Sequence, residues 1–252
     1  MASTSETGHA KNVANFEDII SFCTGYGTAY NPTKNSIKIA AMNTLLTSAR
    51  NTLQTVKTTK TAYDNATNAR EIAFANLKKL STRVVNALEA TDATKQTVND
   101  AKTINRKIQG KRADNKKTPP FAPPAEGTTP TPTEVIQISV SQQSYDSLTD
   151  NFSKLIISVT AEPLYIPNET DLKVTALNTL LTNLKTTNTA VINVTPAYRS
   201  SIITRNTTLY QSAIGLVDTA LEVKKYVKSV FGAKSQQYGE ISGLEFKKLK
   251  KL

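Results

Sequence analysis

A segment of this chain occurs twice, and that repetition constrains the fold more than any other feature. Asn31-Pro32 through Ala41-Met42-Asn43-Thr44-Leu45-Leu46-Thr47 aligns with Ile166-Pro167 through Ala176-Leu177-Asn178-Thr179-Leu180-Leu181-Thr182 at an offset of 135 residues. The register continues through Ile37/Leu172, Val56/Val191, Tyr63/Tyr198 and Arg70/Arg205. Upstream, Asn15-Phe16 pairs with Asn151-Phe152 at 136; downstream, Ala101-Lys102 pairs with Ala233-Lys234 at 132. A chain that keeps such a register is expected to fold as two copies of one unit. The repeat units are read as 1–112 and 134–252.

Between them lies a stretch of different composition. Residues 113–133 hold six of the ten prolines, Pro119, Pro120, Pro123, Pro124, Pro130 and Pro132. Proline fixes φ and donates no hydrogen bond, so this segment reads as an extended, polyproline-like linker. Val135-Ile136-Gln137-Ile138-Ser139-Val140 follows, alternating and β-branched, and is a candidate for one short strand.

Within each copy the apolar period is helical. From Thr33 to Gln109 there is neither proline nor glycine. Apolar residues recur at three-and-four spacing through Ile37, Ala41, Leu45, Ala49, Leu53 and Val56, and again through Tyr63, Ala66, Ala73, Leu77, Leu80, Val84 and Leu88. Leu172, Ala176, Leu180, Leu184, Val191 and Val194 repeat the first stripe. Leu45, Leu46, Leu180 and Leu181, in the most faithfully repeated segment, are expected at the packing centre. Polar residues on the other faces are drawn from 37 threonines and 20 asparagines. Threonine is a weak helix former, so these helices must depend on packing. The expected class is all-α: two tandem long-helix bundle units joined by the proline segment, with at most a short strand near 135–140.

The boundaries follow from caps and breakers. Asn31-Pro32 and Ile166-Pro167 are read as standing in or just before a first helical turn. Thr195-Pro196 fits either a turn between helices or a kink in one long helix; the absence of a breaker at the equivalent Thr61 favours the kink. Gly215 and Gly232 should bracket a helix over Leu216–Phe231. Thr91-Asp92 is a plausible cap for a last helix reaching Ile108, with Gly110 beyond it. Short helices over Val13–Phe22 and Tyr145–Val159 precede the two copies.

Three segments carry a resemblance: His9-Ala-Lys-Asn-Val-Ala-Asn-Phe16, Thr103-Ile-Asn-Arg-Lys-Ile-Gln-Gly-Lys-Arg112 and Lys224-Lys-Tyr-Val-Lys-Ser-Val-Phe-Gly-Ala-Lys234. Together with Gln237-Tyr-Gly-Glu-Ile-Ser-Gly-Leu-Glu-Phe246, they resemble a family of duplicated all-helical proteins of Bacteroidota, largely flavobacteria. The resemblance covers both copies and implies a bacterial origin. It implies no activity, cofactor or catalytic residue.

Residue chemistry narrows the function classes. One cysteine, Cys23, excludes a disulfide framework, and one histidine, His9, leaves little for acid–base work near neutral pH. No phosphate-loop, dinucleotide, zinc-protease or nucleophile-elbow pattern occurs. Cys23 reads as a buried structural thiol, and Gly25-Tyr26-Gly27 as a turn. No apolar run approaches the ~20 residues of a membrane helix, and the polar N-terminal residues show no signal peptide, which suggests a cytoplasmic protein. No catalytic, cofactor-binding or metal-binding residue is expected.

Charge is more informative. The net charge is +11, and it is concentrated. Residues 102–117 carry seven cations against one acid, and residues 224–252 carry eight against two. Cations at helix C-termini complement the macrodipole. They also define a candidate contact set for an anionic partner: Arg106, Lys107, Lys111, Arg112, Lys116 and Lys117 at the end of the first copy, Lys247, Lys248, Lys250 and Lys251 at the end of the second. Arginine is scarce and aromatics are few among these lysines, so such binding would follow the phosphate backbone, not the bases. The leading expectation is a non-enzymatic structural protein that assembles with itself; the alternative is a basic, sequence-independent nucleic-acid or other polyanion-binding protein.

Overall fold

The computed structural model describes residues 4–110 and 143–248. Among the described residues it is all-α. Its helices are α1 (Thr4–Gly25), α2 (Ile39–Phe74), α3 (Leu77–Glu89), α4 (Lys95–Gln109), α5 (Tyr145–Thr160), α6 (Val174–Tyr210), α7 (Leu216–Phe231) and α8 (Gln236–Ser242). The proline segment 113–133 and the candidate strand Val135–Val140 lie outside the described residues.

Local chemistry places most boundaries. Gly215 and Gly232 bracket α7 as the sequence suggests. The cap of α4 is Thr94, whose Oγ1 accepts the Thr97 N–H at 3.2 Å. Thr91 does not serve: its hydroxyl donates to the Leu88 carbonyl and accepts the Ala93 N–H, two residues short of α4. Gly110 ends α4 at φ 72°, in the left-handed region that glycine tolerates, and an added Cβ would meet the Gln143 side chain at 2.8 Å. Pro32 and Pro167 stand further from the helices than expected. A 3-10 turn intervenes in each copy, Asn35–Ile37 before α2 and Thr170–Leu172 before α6. The Tyr30 hydroxyl donates to the Ile37 carbonyl at 2.6 Å, and the Tyr165 hydroxyl to the Leu172 carbonyl at 2.9 Å. α6 runs on through Pro196, so the chain makes no turn there.

Packing divides the chain differently from its sequence repeat. One compact unit takes residues up to Asn65 and from Asn193 onward; the other takes Ala66 to Ile192. The divisions fall inside α2 and α6. The first unit contains α1, the leading part of α2, the trailing part of α6, α7 and α8. The second contains α5, the leading part of α6, the trailing part of α2, α3 and α4. The division expected at 113–133 is thus not where the packed units part. The reason is length: helices of 36 and 37 residues extend about 55 Å, more than the other helices, of at most 22 residues, can cover.

Each unit has its own core. In the first, Phe16, Ile19, Met42, Leu46, Leu209 and Val223 are buried together. In the second, Leu77, Val84, Phe152, Leu155, Leu177 and Leu184 are. The buried stripe of α2 is Met42, Leu46, Ala49 and Val56, and that of α6 is Leu177, Leu181, Leu184 and Val191. Leu45 and Leu180 are only half-buried beside these stripes, one position off the expected centre.

Candidate interaction surfaces

Opposite the buried stripe of α2 runs an exposed one: Thr44, Thr47, Asn51, Thr55 and Thr58, at spacings of three and four. In α6 the corresponding stripe is Thr175, Thr179, Thr182, Thr186 and Thr189, again all exposed. Each belongs to a different unit. The hydroxyls of Thr44, Thr47, Thr55 and Thr58 donate to the carbonyls four residues back, at 2.8–3.2 Å. Thr179 and Thr182 do the same at 3.0 Å. This back-bonding fixes χ1 and leaves the methyl group and the oxygen lone pairs outward. Helix propensity does not account for the choice, since threonine is roughly 0.5 kcal/mol per residue worse than alanine.

The first unit also carries a polar clamp on α1. Its helical period turns Asn12 and Asn15 to the same side as Phe16 and Ile19, and both amides are buried. The Asn12 Nδ2 donates to the Lys247 carbonyl at 2.8 Å while its Oδ1 accepts the Lys247 N–H at 2.9 Å. Asn15 Nδ2 donates to the Glu245 carbonyl at 2.7 Å. Across the same segment, Lys224 Nζ of α7 donates to the Ser242 and Leu244 carbonyls at 3.0 and 2.5 Å, and it lies 5.6 Å from the Phe246 ring centroid. Burial pushes the Lys224 ammonium below its ordinary pKa, partly offset by the Glu245 carboxylate. Asp218 of α7 pairs with Lys248 at 3.3 Å. The segment Leu244–Lys248 is thus held on both sides by side chains that bind mostly its backbone.

Of the ten residues expected to contact an anion, Lys111, Arg112, Lys116, Lys117, Lys250 and Lys251 lie outside the described residues. The four described ones divide between the units. Arg106 and Lys107 end α4; the Arg106 guanidinium donates to Thr103 Oγ1 at 2.8 Å, and the Lys107 carbonyl accepts from Gln143. Arg106 borders a polar groove of about 490 Å³ between α3 and α4, lined also by Asn86, Asn99, Lys102 and Asn105. Lys102 pairs there with Glu89. Lys247 and Lys248 belong to the clamped segment. Only Arg106 and Lys107 thus stand at a helix end, and Lys102, Lys224 and Lys248 already have partners within their own unit.

The one cysteine and the one histidine of the chain are both buried. Cys23 is 1% exposed and stands where the other copy has Val159, also buried. Burial pushes its thiol up to about 12, against a smaller lowering by Tyr30, so it carries almost no thiolate at neutral pH. His9 is buried beside Tyr210, its Nδ1 2.5 Å from the phenol oxygen. Among the described residues no group of three or more His, Cys, Asp or Glu side chains is placed to hold a metal ion, and no helix is long and apolar enough to cross a membrane.

Comparison with protein-family models, with curated proteins and with solved structures finds no match to this chain. The sequence reading missed the Asn12–Asn15 clamp, although its signal was present. Two amides three residues apart on the apolar side of a helix need partners that a packed core does not supply.

Proposed function

We propose that this chain is a non-enzymatic helical scaffold that assembles with further copies of itself through the threonine stripes of α2 and α6. The observation that supports the reading is the pair of stripes. Ten exposed positions at helical spacing hold nine threonines and one asparagine, at some loss of helix propensity. Ordering a lysine or glutamate in a contact costs about 1.5–2 kcal/mol of side-chain entropy; a back-bonded threonine has little left to lose. Such a face presents methyl groups and acceptors at low entropic cost, which suits repeated contact between identical copies. The burial of Cys23 and His9 favours this reading over an enzymatic one. The polyanion reading has weaker support, because Lys224 and Lys248 bind backbone carbonyls and a carboxylate of their own unit.

Light scattering across a concentration series tests it. The native chain should show a mass of two or more copies. Thr47→Lys, Thr55→Lys and Thr182→Lys together should reduce it to one, while the melting temperature holds or rises slightly because lysine is the better helix former. A native chain of single-copy mass at every concentration, or variants that associate undiminished, overturns the proposal.

A further inference from the structure

The clamp on α1 has the chemistry of a peptide-binding groove. A side-chain amide that donates to the carbonyl and accepts from the N–H of one residue imitates a neighbouring strand. Asn12 does this to Lys247, and Asn15 repeats half of it two residues earlier, at Glu245. Carbonyls two residues apart point to the same side of an extended chain, and residues three apart share a helix face, so the two spacings match. The segment alternates accordingly: Leu244 and Phe246 are half-buried against the core, while Glu245 and Lys247 are exposed. The chain enters it through Gly243, which is exposed and has nothing within 4 Å of the place a Cβ would occupy.

We infer that the groove between α1 and α7 is a docking site for the segment Leu244–Lys248 of a second copy, exchanged for the chain's own about Gly243. The recognition is almost wholly of backbone, plus two apolar side chains and the Lys248–Asp218 pair. A second copy offers the same set, so exchange keeps the contacts that the segment makes with α1 and α7 and gives up only the turn at the glycine, where the Leu244 N–H donates to the Ile241 carbonyl at 3.2 Å. Exchange of an identical element is a low-cost route to association. The inference rests on the self-assembling reading and names a specific contact within it.

The test uses two preparations of the full chain. One carries Gly8→Cys, at a site where an added Cβ lies 3.9 Å from Lys247 Cδ. The other carries Lys247→Cys, at an exposed position. Native Cys23 is buried and does not compete. The two are mixed at a concentration where the native chain associates and treated with a short bis-maleimide. The expected result is a two-chain product containing both variants, reduced at least several-fold when the Gly8→Cys chain also carries Asn12→Ala and Asn15→Ala. A chain bearing both cysteines supplies the control. If it crosslinks within itself while the mixture gives no two-chain product, the segment stays on its own chain and the inference is overturned. Scattering mass separates the two claims: multi-copy mass without the two-chain product removes exchange and leaves the scaffold reading. The product formed in chains whose threonine variants associate undiminished removes the threonine faces and leaves exchange.

Discussion

The two compact units use nearly the same parts and close them differently. Phe16, Ile19, Ile20 and Cys23 of α1 match Phe152, Leu155, Ile156 and Val159 of α5, all buried. The buried residues Leu77, Ser81, Val84 and Leu88 of α3 keep the spacing of Leu216, Ala220, Val223 and Val227 of α7. The units diverge at the last helix. α4 has 15 residues and packs along α5, burying Ile108 completely. α8 has seven, and the chain then continues as the irregular segment over α1. Asn12 stands at the position where the other copy has Leu148. A helix satisfies its own backbone and wants an apolar neighbour; an irregular segment carries free N–H and C=O groups and wants an amide. The adjacent match is subtler. Asn151 donates to its own helix at Ser147, whereas Asn15 donates outward to Glu245. One asparagine position serves two roles because its surroundings differ.

Reciprocal exchange of these residues breaks the comparison most severely. Leu148→Asn would bury an amide in the apolar core of the second unit and remove a leucine that is 8% exposed. It should destabilise by about 4 kcal/mol in equilibrium urea unfolding. Asn12→Leu should cost less, about 2 kcal/mol, because the released segment can turn its backbone to water. Hydrogen exchange provides the decisive readout: Lys247 N–H protection should vanish in Asn12→Leu and survive in Leu148→Asn. Equal costs and unchanged protection would mean the amide is not what holds the segment.

The two long helices are compared by their leucines. Leu46→Ala and Leu181→Ala remove side chains that are 5% and 8% exposed, and each should cost about 3 kcal/mol. Leu45→Ala and Leu180→Ala, half-buried, should cost less than half of that. Urea midpoints for the four variants check this, and an inverted order would restore the register first read from the sequence. A smaller matched pair follows. Tyr30→Phe and Tyr165→Phe each remove the hydroxyl bond to a turn carbonyl, at about 1 kcal/mol, and Tyr30→Phe also removes a hydroxyl contact with the Cys23 thiol that Tyr165 lacks. Tyr30→Phe should therefore cost slightly more, and a larger loss in Tyr165→Phe would show that the two turns are not equivalent.

Helix content and the bracket of α7 were legible because they rest on local rules of period and glycine. The off-by-one at Leu45 arose because Leu45-Leu46 and Leu180-Leu181 are adjacent apolar pairs, and a 3.6-residue period alone does not choose between them. Met42 and Ala49 settle the choice, since both are fully buried. The division into units was not legible. Repetition shows which segments share a conformation, but not whether a long helix packs along its length with one set of neighbours or with two. The clamp is legible only in hindsight of its partner: Asn12 and Asn15 mark a polar need, and Glu245 and Lys247 lie 230 and 235 residues further on.

The smallest effect expected concerns the loop before α7, which the other unit lacks: Gln211–Gly215 separates α6 from α7, where only Ala75-Asn76 separates α2 from α3. Ala213 has φ 67°, an unfavourable angle for a residue with a Cβ. Asp218, in the first turn of α7, accepts the Ala213 N–H at 3.0 Å and holds the loop in place. That N–H, and after it Lys248, keeps the Asp218 carboxyl below its ordinary pKa. A carboxyl depressed in the folded state contributes stability that is full above its unfolded value, about 4, and disappears as pH falls through the folded value. Asp218→Asn imitates the protonated form. It should therefore lower stability by about 0.5 kcal/mol at pH 7, the size of an acid at an exposed helix N-terminus. The deficit should shrink steadily below pH 4 until variant and native chains unfold at the same urea concentration. A deficit that stays constant from pH 7 to pH 2 would show that the loop depends on side-chain shape at this position, not on charge.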